Sequence, residues 1–281
     1  MVAAGGTGDL RWREARRWRR GFLLALAACL AAFLANAVLS DVRPASAWGL
    51  GYGAAATLVM LGVALFAARR RSMRLATRLG LGRARSWLYF HVYGGTLFLV
   101  LLLLHTGFRL PEGGLAWLLW ALALWTVLSG FLGLGLQQWI PKALGSGLGV
   151  EVHYDRIPAL VAELKTRADA VAAAASEPVQ RVYARKVAPE LRAPAWRWIY
   201  FVDITGRIQS RLGEFEYLRQ RLPAEERGRA AELEGLFRTK LEMDAHYTLQ
   251  SVLRGWLLLH VPASLVLVGL VAVHVFTVLY Y

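Results

Sequence analysis

Five stretches of this sequence, residues 21–40, 47–68, 87–107, 114–139 and 255–280, contain no Asp, Glu, Lys or Arg. Each is close to or above the ~20 residues that carry an α-helix across ~30 Å of hydrocarbon at ~1.5 Å per residue. In lipid the backbone must satisfy its own N–H and C=O groups, and a continuous apolar run does so as a helix. The chain is therefore expected to be an all-α integral membrane protein with five transmembrane helices. Composition agrees, since 57% of the 281 residues are hydrophobic, above the roughly half found in soluble domains.

Charge then sets orientation. The formal net charge is +14, and an even basic surface would suggest nucleic acid as a partner. The distribution excludes that reading. Of the 15 basic residues outside 142–254, six fall in Arg11–Arg20 and seven in Arg69–Arg85, while Arg43 and Arg109 stand alone in the other connections. Lys and Arg are retained on the cytoplasmic side, so the basic N-terminus (1–20) and the second connection are expected inside, with the C-terminal Tyr281 outside. "RWREARRWRR" precedes a full-length span with no small-residue cleavage site, so it reads as a cytoplasmic anchor on an inner, bacterial-type membrane, not as a signal peptide. Membrane lipid is the first partner implied.

Spans one to four occupy 21–141, and the fifth occupies 255–281. Between them lies a polar insertion, 142–254, with 18 basic and 15 acidic residues. Alternating topology makes it cytoplasmic. Its "IPALVAELKTRADAVAAAA" is helical in pattern, and Pro223 with Glu225 and Glu226 starts a helix expected to continue into the fifth span. "AWRWIYFVDITGR" is rich in aromatic and β-branched residues and could pair as a short hairpin. "LGSGLG" follows a membrane helix, not a strand, and is no nucleotide loop. The insertion is expected to be a mainly helical cap that contacts a partner redox subunit.

Four of the six histidines lie inside spans: His91 and His105 in the third, His260 and His274 in the fifth. Both pairs are separated by 14 residues. Fourteen steps of about 100° end about 40° short of whole turns, so each pair shares a helix face, stacked ~21 Å apart. The third and fifth spans cross in the same direction. His91 and His260 are thus expected at one level near the cytoplasm, and His105 and His274 at another near the outside.

Two facing imidazoles at each level suit haem, whose iron has two axial positions on opposite sides of a flat ring. An intramembrane ionisable residue is functional by default, and a lone one would also fit a proton relay or a polar contact. Cys29 is the only cysteine, which excludes a disulfide within the chain, a four-cysteine cluster and covalent C-x-x-C-H haem. Zinc or copper lacks a cysteine or carboxylate at these levels. Gly94 and Gly95, one turn after His91, would leave room for a macrocycle, as would Ala263 and Ser264 after His260. Their alternative use is close helix packing. Arg83, Arg85 and Arg254 could meet the propionates of the inner haem and Arg109 those of the outer, or could serve topology alone. Trp87 and Trp256 stand four residues before an inner histidine, where they could flank haem or belong to the interfacial belt. His153 and His246 read as ordinary surface or core histidines.

This constellation resembles the membrane-embedded dihaem b-type cytochromes. The H-x(13)-H pairs are similar to those of respiratory cytochrome b, and their placement on the third and fifth spans is closer still to the ferric reductase and NADPH oxidase transmembrane domain. The resemblance covers about half of the chain. It implies a helical bundle with two noncovalent b haems, ligated by His91, His105, His260 and His274, that passes electrons across the membrane. The ferric reductase type continues into a sixth span and a flavin and nicotinamide domain, whereas this chain stops at Tyr281. The P-E-W-Y sequence of quinol-oxidising cytochrome b is absent. The expectation is a non-catalytic electron-transfer subunit of a larger complex, partnered by a flavoprotein, iron–sulfur protein or cytochrome c, with quinone as a further candidate. Its alternatives are a self-sufficient membrane reductase or quinone oxidoreductase, and a proton-coupled transporter whose histidines titrate.

Overall fold

The computed structural model describes residues 6–71, 77, 78, 80, 82–145 and 152–280. Tyr281 and most of the "LGSGLG" loop lie outside the described residues. Among those described there is no strand. Four long helices come first: α1 (Gly6–Leu39), α2 (Ala47–Arg71), α3 (Ala84–Thr106) and α4 (Gly114–Gly145). Shorter helices follow: α5 (Ile157–Ala173), α6 (Glu177–Val182) with a π-helical turn at Tyr183–Val187, α7 (Ala188–Glu190) and α8 (Ile204–Arg221). The last helix, α9 (Ala224–Tyr280), runs for 57 residues without interruption. Segments of α1, α2, α3, α4 and α9 are each long and apolar enough to cross a membrane, the five that the uncharged runs predict. The first helix begins well before residue 21, because the basic Arg11–Arg20 stretch is helical too.

The chain divides into two compact units, residues 1–132 with 258–281, and residues 133–257. Both divisions fall inside helices, α4 and α9, and not in loops. In the first unit α2 packs along α3, and a ridge of Tyr52, Ala56 and Met60 at every fourth position meets Phe98, Leu101 and Leu104. Leu119, Ala123 and Val127 of α4 repeat the same four-residue ridge, and Leu267 of α9 joins this core. A buried bond from the Asn36 amide to the Tyr52 hydroxyl, 2.9 Å, ties α1 to α2. The α3 helix ends at Gly107, which adopts the left-handed φ of 58°. A Cβ there would strike the Val42 carbonyl, so glycine alone suits both the backbone and the space. Outward-facing Leu24, Leu34, Leu58 and Leu258 stay exposed, as lipid-facing side chains must.

The second unit buries its own core. Ile157, Val161, Leu164, Ala168 and Ala172 form one stripe of α5; Ile208, Leu212 and Phe215 come from α8 and Leu233, Phe237 and Leu241 from α9. The periodicity of three and four is that of an amphipathic helix. Inside this core lies an ion pair of Lys240 with Asp244, both side chains fully buried, at 2.6 Å.

The hairpin at 195–207 does not form. Residues Trp198–Phe201 make a 3₁₀ turn, and α8 starts at Ile204 with Asp203 as its cap, accepting from the Gly206 N–H at 2.8 Å. The extended backbone before the turn finds side-chain acceptors in place of a partner strand. Asp244 takes the Ala195 N–H at 2.8 Å, and the Thr248 hydroxyl takes that of Arg197 at 3.0 Å.

Candidate functional site

The α3 helix supplies His91 and His105, and the final part of α9 supplies His260 and His274, all within the first unit. The ring centres of His91 and His260 lie 6.3 Å apart with planes inclined by 71°. Those of His105 and His274 lie 6.5 Å apart, inclined by 77°. The structure thus brings the four together as two pairs, level by level, which requires the two segments to run in the same direction. Among the described residues no three His, Cys, Asp or Glu side chains converge. Each level therefore offers two imidazoles and leaves any further coordination to something else.

Neighbouring helices orient the rings. His91 Nδ1 lies 3.2 Å from the Val63 carbonyl and His105 Nδ1 2.8 Å from the Gly49 carbonyl, both on α2. A carbonyl only accepts, so Nδ1 carries the proton in both and the Nε2 lone pair is left available. His260 Nδ1 sits 2.9 Å from the Ser129 hydroxyl of α4, and that hydroxyl donates to the Thr126 carbonyl at 3.1 Å. A hydroxyl that gives its one proton to that carbonyl accepts from His260 Nδ1, which yields the same tautomer. The Phe66 ring, 5.1 Å from His91, closes the side of the inner pair.

Glycines matter here, though not all those expected. A Cβ on Gly94 would sit 2.8 Å from Val63 Cγ2, so this residue serves the close packing of α3 on α2 and does not open a space beside the imidazoles. Gly95 has nothing within 4 Å of a built Cβ. Two further glycines abut the rings. A Cβ on Gly53 would lie 2.8 Å from His105 Nδ1, and one on Gly130 would lie 3.6 Å from His260 Cε1. Gly49, Gly53, Ser129 and Gly130 were not legible as site residues until the helix register was known. The one signal for Gly49 and Gly53 was the glycine-rich "GLGYG" of α2, a pattern of close helix approach.

The basic residues have carboxylate partners. Arg109 bonds Asp41 at 2.9 Å, and the Arg43 hydrogen bond to that same carboxyl holds it below its usual range. Arg254 grips Asp155 through 2.8 and 2.9 Å bonds and lies over the Tyr154 ring. Arg83 and Arg85 are exposed. Trp87 meets Phe90 edge-on with the Arg69 guanidinium 6.0 Å from its ring, and Trp256 fills the space left by Gly133. His153 is exposed, and His246 is buried in the core of the second unit, the two ordinary settings expected of them.

No family model, curated protein or solved structure matches this chain.

Proposed function

We propose that the histidine pairs are the axial ligands of two noncovalent b haems, His91 with His260 and His105 with His274, and that the chain is the membrane electron-transfer subunit of an oxidoreductase complex. The observation that carries this reading is the ring separation. An iron–nitrogen bond of ~2 Å plus ~1.2 Å from nitrogen to ring centre, counted on both sides, would separate two imidazoles that hold one iron by about 6.4 Å. The pairs stand at 6.3 and 6.5 Å. A direct hydrogen bond between two rings would draw their nitrogens to ~3 Å and their centres correspondingly closer.

The donor set fits the group. Imidazoles whose Nδ1 is held and whose Nε2 is left available, as at His91, His105 and His260, would suit an iron whose remaining positions come from a macrocycle. Haem bound at each level supplies a one-electron centre. The protein's own part is to fix ring orientation through Val63, Gly49 and Ser129 and to keep water from the ligands with Phe66 and the apolar faces of α2 and α4. Levels ~21 Å apart cover most of the hydrocarbon thickness, so electrons can pass between a cytoplasmic-side donor or quinone and a redox partner outside. In this reading the N-terminus and 142–254 are cytoplasmic, by the distribution of Lys and Arg. Arg85 remains a candidate for the inner propionates. Arg109 and Arg254 would enter any such contact together with Asp41 and Asp155.

The visible spectrum of the purified protein and a pyridine haemochromogen assay test the proposal. Two b haems per chain are expected. A colourless protein would favour a proton-coupled transporter, and a ratio near one would leave one histidine pair without this role.

A further inference from the structure

The segment Ala195–Val202 presents large apolar side chains to the outside of the second unit: Trp196 is 55% exposed, Trp198 63% and Val202 75%. This presentation is built into the backbone. Asp244 and Thr248 on α9 hold the N–H groups of Ala195 and Arg197, and Arg197 has extended dihedrals of φ −140° and ψ 107°. Successive side chains of an extended segment point to opposite sides. The Arg197 guanidinium turns in to Glu190 at 2.5 Å, so Trp196 and Trp198 are directed out on the opposite side. Burying either indole would remove a large apolar surface from water, and the fold leaves both uncovered.

A second observation says where this surface lies. Phe201, in the same turn, stacks on Trp139 of α4, with ring centres 5.9 Å apart and planes 11° from parallel. Trp139 stands at the end of a membrane span. The apolar run of α4 continues to Leu136 and gives way to Gln137 and Gln138; from Gly114 to Leu136 it covers about 33 Å, the thickness of the hydrocarbon layer. Trp139 therefore sits in the headgroup layer, the region in which Trp is enriched. A ring stacked face to face on it is held at the same depth. Exposed Arg192 and Arg207 flank the turn and match the charge of anionic headgroups.

We infer that the turn carrying Trp196, Trp198 and Val202 is a membrane-interface anchor, seated among lipid headgroups beside the end of α4. The inference rests on α4 as a membrane span and is independent of what the histidines hold, so its failure would leave the haem proposal standing. It gives the aromatic segment a lipid partner where the sequence suggested a hairpin.

Site-directed spin labelling of the full chain tests it. In a Cys29→Ser background, Trp198→Cys and Val202→Cys would each be labelled in nanodiscs of phosphatidylcholine with phosphatidylglycerol. Arg181→Cys, at a side chain 71% exposed, provides the aqueous reference. Both test labels should show an oxygen-to-nickel-chelate accessibility ratio several-fold above that of the reference. A ratio equal to the reference would place the turn in water and overturn the inference. Labels shielded from both reagents would mean that protein, a second copy or another subunit, covers the turn, and would overturn it equally. Reading two positions separately keeps the test decisive if one variant folds poorly.

Discussion

Val63 and Gly49 decide which nitrogen of His91 and His105 carries the proton, because their carbonyls accept and never donate. That local constraint has measurable consequences. Ring planes inclined by 71° and 77° predict, for bound ferric haem, the strongly anisotropic low-spin electron paramagnetic resonance signals of near-perpendicular axial imidazoles; signals of the coplanar type at both levels would contradict the pairing geometry. Ser129→Ala removes the acceptor from His260 Nδ1, making the imidazole a poorer electron donor. Redox titration should show the inner haem potential raised by on the order of tens of millivolts, with the outer one unmoved. Gly53→Val places methyl groups where the His105 ring sits, and the haem-to-protein ratio should fall from two towards one. At this scale the histidine pairs were legible in the sequence and the groups that orient them were not. Histidine is rare in lipid and its spacing can be counted, whereas the bond to Val63 uses a carbonyl that every residue owns. Of the two uses open to Gly94, room for a macrocycle and close helix packing, the contact with Val63 favours packing; one turn after His91 is a statement about height, and the direction of its missing side chain depends on where α2 lies.

Helix α9 joins two different environments in 57 residues. Its first part contributes Leu233, Phe237 and Leu241 to the core of the second unit, and its last part contributes His260 and His274. Pro262 sits two residues after His260 and has no N–H to give the Leu258 carbonyl. The start of this helix was legible in Pro223, Glu225 and Glu226, as were the five spans, because apolar length and helix-start chemistry are local properties. The segment at 195–207 was not, since its β-forming composition serves exposure and stacking instead. What held it in place was Asp244, a residue 49 positions away from Ala195. Asp244 also balances Lys240 in full burial. Asp244→Ala leaves a buried ammonium unpaired and frees the Ala195 N–H, so chemical denaturation should show a loss of about 3–5 kcal/mol for this unit. Replacing both members, Lys240→Met with Asp244→Leu, should cost less than the single change.

Across the whole molecule, a unit of membrane-length helices and a separately packed helical unit allow the stability of the second to be perturbed apart from the histidine pairs of the first. Glu190 lies among Arg197 and Arg211 at 2.5 and 2.7 Å. Burial pushes its carboxyl up, but the two guanidinium hydrogen bonds outweigh this and hold it below its usual range. A carboxylate lowered in the folded state contributes stability that is full above the unfolded pKa and is lost as pH falls through the folded one. Melting of the wild type and Glu190→Gln should therefore differ most near neutral pH, by about 1.5–3 kcal/mol, and converge below roughly pH 4. The haem spectrum of the variant should be unchanged. The account as a whole depends on the level-by-level pairing of α3 with α9. Its most direct measurement is the low-temperature visible spectrum of His91→Ala, His260→Ala and the double variant, read beside His105→Ala. The first three should lose the same inner b haem, the double losing little more than either single, while His105→Ala loses the other. Loss of different haems from His91→Ala and His260→Ala would contradict the account.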